Sequence, residues 1–86
     1  SHQFTIQVTS RSETDTSTTD PTAGFRHHIL IIPFDSIGQD ILDLCTLEYR
    51  VPPNALLYHR GLPLPLADSV VTHGVMQDAS IQLFFH

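Results

Sequence analysis

The sequence contains no lysine: its fixed positive charge is four arginines, set against nine acidic residues for a formal charge of −5. A protein that tracks nucleic-acid phosphates needs a basic stripe, so that class is excluded. A basic partner surface suits this chain better than an acidic one. Cysteine is equally scarce. Cys45 alone can close no internal disulfide and complete no cysteine-based metal site, which fits a reduced, intracellular setting, cytoplasmic or nuclear. No apolar run approaches the roughly 20 residues that cross a bilayer, and no signal-peptide pattern opens the chain. The four glycines are scattered rather than gathered into a phosphate-binding loop. These absences lead us to expect a soluble domain without a membrane or nucleic-acid partner.

What is present fits one domain. The 86 residues, 41% hydrophobic and 15% charged, are enough to bury about 60 to 65% of the unfolded chain's surface. Ser1 to Gln3 are expected to be a cloning remnant and the domain to span residues 4–86. "FTIQVTS", Phe4 to Ser10, alternates apolar and polar residues, the period of a half-buried strand. Residues 11–24, "RSETDTSTTDPTAG", predict a long flexible loop. Within it Ser12, Thr14, Thr16 and Ser17 are phosphorylation candidates, each able to add about −1.5 to −2 charge, although a plain tether is the simpler reading. The run Ile29 to Ile32 predicts a second strand ended by Pro33. Being unbroken, it leaves open whether Ile29 and Ile31 or Leu30 and Ile32 face inward.

Ser36, three residues before Gln39, has the spacing of a capping box and predicts a helix start. Ile37, Ile41, Leu44, Cys45 and Leu47 recur at helical spacing as its buried side, with Gln39, Asp40, Asp43 and Thr46 opposite. Pro52-Pro53 bars further helix. "ALLYH" then reads as a third strand, Arg60-Gly61 as its turn and "LPL" as a short edge segment. A helical turn capped by Asp68 or Ser69 leaves through Gly74, and "SIQLFFH" closes as the last strand. The order is ββαββ, an α+β domain with one helix across one mixed sheet.

The groups that could carry chemistry have plainer readings. His27 and His28 are adjacent, so on a strand they point to opposite faces and cannot share a metal ion without a bulge. Cys45 lies on the apolar side of the helix, where burial disarms a thiol. Asp40 and Asp43 read as a solubilising face. No catalytic residue, metal or cofactor is expected, and the domain itself is not expected to be an enzyme.

The capped helix after the strand ending in Pro33, the "VPP" that follows it, "LLYHRG", Leu64 and "SVVTHGVMQDASIQLFF" together resemble the ubiquitin-like, or β-grasp, family from Phe4 to His86. "LCTLEYRVP", Leu44 to Pro52, resembles the helix end of the ubiquitin-like domains of DNA-damage-inducible shuttle proteins, whose other domain is similar to a retroviral aspartic protease. That resemblance implies a parent protein that is itself an enzyme. No Asp-Thr-Gly or Asp-Ser-Gly signature occurs here, Asp35-Ser36 being followed by Ile37. The chain departs from ubiquitin in its longer first loop, in having no lysine, and in its ending, Phe84-Phe85-His86, without a diglycine. A built-in domain rather than a conjugated modifier is therefore expected.

Strand alternation places Leu57 and His59 on one face and Leu56 and Tyr58 on the other; Ile81, Leu83 and Phe85 alternate with Gln82 and Phe84. In the family the helix covers one sheet face and the other binds partners. The resemblance implies core roles for Leu57, Ile81 and Leu83, and a partner-binding patch of Leu56, Tyr58, Gln82 and Phe84, rimmed by Gly61 and Leu62. The implied partner is ubiquitin or a proteasomal ubiquitin receptor. Docking onto another domain of the same protein is the alternative. Leu56, Leu62 and Gln82 stand at basic or histidine positions of ubiquitin, which favours apolar or basic partners. The plainer reading is that Tyr58 and Phe84 pack only on each other.

Overall fold

The structure, a computed structural model, describes residues 2–12 and 25–85. Thr14, Thr16, Ser17 and most of the expected loop, with Ser1 and His86, lie outside the described residues. Strand β1 (Gln3–Ser12) is followed by β2 (Arg26–Pro33), helix α1 (Gly38–Tyr49), β3 (Leu56–His59), β4 (Leu62–Pro63), a 3-10 turn (Val70–His73) and β5 (Ala79–Phe85). The strands form one sheet of order β2-β1-β5-β3-β4, in which β1 and β5 run parallel and the other pairs antiparallel. The chain is thus a small α+β domain with a mixed five-stranded sheet and one helix. None of its described helices is long and apolar enough to cross a membrane.

One face of the sheet builds the core. Phe4, Ile6 and Val8 of β1, Leu30 and Ile32 of β2, Leu57 of β3 and Ile81 and Leu83 of β5 form a single buried cluster with Ile41, Leu42 and Cys45 of the helix. The register settles the open question in β2. Leu30 pairs with Ile6 and Ile32 with Phe4, so these two turn inward, because antiparallel partners share a face. Ile29 and Ile31 turn outward, 67% and 63% exposed.

The helix departs from expectation at both ends. Its N-cap is Ile37 rather than Ser36. Asp40 Oδ2 accepts a hydrogen bond from Ile37 N at 2.9 Å, whereas Ser36 is buried and donates through Oγ to Pro33 O at 2.7 Å. Gln39, the expected partner of Ser36, donates instead to Asp43 Oδ1 one turn on. Leu42 is buried in place of Leu47, which is 81% exposed. The helix stops at Tyr49 because Arg50 takes the left-handed conformation, φ 60°, and Val51 N returns to Cys45 O at 3.3 Å. The prolines then prevent resumption.

Both strands of the first hairpin run beyond their sequence limits. Gln3 pairs with Pro33, and Arg11 and Ser12 pair with Phe84 and Phe85 in the parallel ladder. At the far end Arg60 (φ 55°) and Gly61 (φ 81°) form the β3–β4 turn, two consecutive left-handed residues as a type I′ hairpin requires. Gly74 (φ 82°) ends the 3-10 turn.

Candidate protein-interaction surface

The outward face is set by β3 and β5. Their register pairs Leu56 with Phe84 and Tyr58 with Gln82, while the alternate pairs Leu57–Leu83 and His59–Ile81 are buried. Alternation therefore sends Leu56, Tyr58, Gln82 and Phe84 to the side away from the core. Tyr58 and Phe84, diagonal neighbours, meet edge-to-face with centroids 5.6 Å apart. Phe84 also meets Phe25 edge-to-face at 6.5 Å, and the Arg11 guanidinium lies 5.2 Å over the Phe25 ring. The result is a row of rings crossing from β3 to the edge of β1, capped by one cation.

Each aromatic pair adds about 0.5–1.5 kcal/mol and the cation–π contact about 0.5–1 kcal/mol. Mutual packing thus holds the rings in place, as the plainer reading of Tyr58 and Phe84 has it. It does not cover them: both remain only half-buried, and Leu56 beside them is 54% exposed.

Of the six residues singled out from the sequence, Leu56, Tyr58, Gln82 and Phe84 come together. Gly61 is exposed at the hairpin tip. Leu62 does not join them. It pairs with buried His59 and so shares the opposite side of the hairpin, where it borders a cleft with Pro63, Leu64 and His73. Phe25 and Arg11 were missed. Arg11 continues the outward alternation of Gln7 and Thr9, and that periodicity extended one step past Ser10 would have found it. The exposed Ile29 and Ile31 lie on this same side, paired with Gln7 and Thr5, so that polar Gln7, Thr9 and Gln82 separate them from the aromatic row.

The inward side holds the titratable groups with altered chemistry. His28 stacks on Tyr49 of the helix, with ring centroids 3.9 Å apart and planes within 14°. Its Nε2 lies 3.3 Å from Ser10 Oγ, and Tyr49 donates its hydroxyl proton to Ile29 O. Burial, then the charges of Arg26 and His27, hold His28 below its ordinary pKa of 6.5. Between that lowered value and 6.5 the unfolded chain binds more protons than the folded one, so stability is lost as the pH falls through this window. Urea unfolding at pH 7.5 and 5.5 is expected to show a smaller loss for His28→Gln than for the wild type. Equal losses would rule out His28 as a source of the acid sensitivity.

Burial, with Glu48 adding to it, pushes the Cys45 thiol up to about 11, so it is not a thiolate at neutral pH. Among the described residues no group of three His, Cys, Asp or Glu side chains could hold a metal ion. Fold and surface together define a small α+β domain with a helix over one sheet face and an aromatic row on the other. No family model matches the chain, and no curated protein matches it.

Proposed function

We propose that this chain is a noncatalytic interaction domain of the β-grasp, ubiquitin-like kind, which recruits ubiquitin or a proteasomal ubiquitin receptor through the sheet face bearing Leu56, Tyr58 and Phe84. The observation that carries this reading is the row Tyr58–Phe84–Phe25, held edge-to-face on a sheet face that no described element covers, beside exposed Leu56. Contiguous apolar surface of this kind is uncommon on a monomer unless it binds, and tyrosine is a frequent interface anchor. The β-grasp assignment is supported by the helix following the first two strands and by the terminal strands β1 and β5 lying parallel within the sheet.

A small, flat patch belongs with the smaller interfaces, so micromolar or weaker affinity is expected. Ubiquitin and proteasomal receptors, titrated separately into labelled domain and followed by NMR, should shift Leu56, Tyr58, Phe84 and Phe25. Tyr58→Ala should weaken the binding by about tenfold or more. Absence of shifts at these residues with millimolar partner would sink the reading.

Exposed Ile29 and Ile31 favour a second reading. They form a second apolar patch on β2, beyond polar Gln7 and Thr9, a further contact point that docking onto a neighbouring domain of the same protein would use. Resonances of Ile29 and Ile31 that differ between the isolated domain and the full-length protein would support docking.

A further inference from the structure

The chain gathers its scarce positive charge at one end of the sheet. Ser10 pairs with Arg26 across β1 and β2 and is itself buried, so both lie on the helix side. Ser12 and Phe85 are partners in the parallel ladder, and the end of the helix brings up Arg50 and Pro52. With Phe25, these residues line an open cleft of about 410 Å³. Arg11, stacked over Phe25, stands beside it, so that three of the four arginines collect here.

No carboxylate among the described residues pairs with them. Among the described residues the only ion pair is His73–Asp68, and the described lining of the cleft contains no acid. The C-terminal end of the helix contributes about −0.5 of a charge, which two guanidinium groups outweigh. Arg50 is also held at φ 60°, a conformation that glycine adopts without strain and that commonly ends helices as glycine.

We propose that the cleft between Arg26 and Arg50 is an oxyanion site that takes the phosphate monoester of a phosphorylated peptide. A monoester carries about −1.5 to −2 charge and three acceptor oxygens. That matches two arginine forks, which donate to phosphate in pairs. Phe25 and Phe85 supply apolar walls for the peptide around the phosphate. A carboxylate brings only half the charge. The site shares Phe25 with the aromatic row, whereas Arg26 and Arg50, which the test varies, take no part in that row.

The test is an NMR titration of the intact domain with inorganic phosphate, with O-phosphotyrosine and with acetate, at matched ionic strength. Saturable shifts at Ser10, Ser12, Arg26 and Arg50 are expected with both phosphates. Arg26→Gln and Arg50→Gly should each weaken them by about 10- to 100-fold. Arg50→Gly is the informative variant, because it relieves the left-handed residue and should melt at or above the wild-type temperature; its loss of binding then cannot be a loss of fold. The proposal is overturned if phosphate gives no saturable shift or if Arg50→Gly binds it unchanged. Acetate binding as tightly as phosphate would overturn the phosphate assignment in favour of a carboxylate.

Discussion

Leu83→Ala is expected to cost about 2–5 kcal/mol, whereas Phe84→Ala, one position along the same strand, is expected to cost about 1–2 kcal/mol. Leu83 is fully buried within the core cluster, so its truncation leaves a cavity that the surrounding side chains fill only in part. Phe84 loses two edge-to-face contacts on a face that water already reaches. A domain of this length has roughly 4–13 kcal/mol in all, so the first variant sits close to unfolding and the second does not. Urea denaturation of the two variants measures the difference. Equal costs would mean that the outward face is as fully packed as the core, and the case for a binding row would go with it.

Gly38→Ala is expected to destabilise the domain by about 1–3 kcal/mol, opposite in sign to the usual effect in a helix, where alanine is favoured over glycine by roughly 0.5–1 kcal/mol. Contact decides the sign. A Cβ on Gly38 would lie 2.5 Å from Pro65 O and 3.0 Å from Leu66 Cα. These are backbone atoms, and they cannot swing aside as a side chain could. The segment is also tied to the helix start, by Gly38 N to Asp68 O at 3.2 Å and Gln39 N to Leu66 O at 2.9 Å. A lowering of the melting temperature by about 4–8 °C for each kcal/mol is expected. An unchanged or raised melting temperature would show that the 65–68 segment can move off the helix.

These two sites also mark what the sequence does and does not disclose. In β3 and β5 the two faces were legible because alternation separates them: Leu57 and Leu83 go inward, Leu56 and Phe84 outward. The run from Ile29 to Ile32 has no alternation to read, and only its pairing with Phe4 and Ile6 selects a face. The helix start was ambiguous for a local reason. Ser36 and Gln39 have the capping-box spacing, but the Ser36 hydroxyl is spent on Pro33 O and the helix start is closed instead by the Asp40 carboxylate on Ile37 N. Leu47 lies off the stripe of Gly38, Ile41, Leu42 and Cys45 that the core takes, and it stays in solvent while Tyr49 covers His28. Arg11 and Ser12 look like loop residues, and β5 alone makes them strand. Leu62 is exposed as a rim residue should be, but the tight hairpin assigns it to the other side, because its partner His59 is buried.

The parallel pairing of β1 with β5 has a mechanical consequence. The first and last strands of the domain lie side by side, from Ile6 against Ala79 to Ser12 against Phe85. A pull applied at the two chain ends therefore slides one strand along the other and loads their ladder of hydrogen bonds together. It does not peel them apart one at a time. A domain joined in this way resists stretching from its ends better than its modest equilibrium stability suggests, and force spectroscopy applied through the termini would register it as a brittle, high-force element.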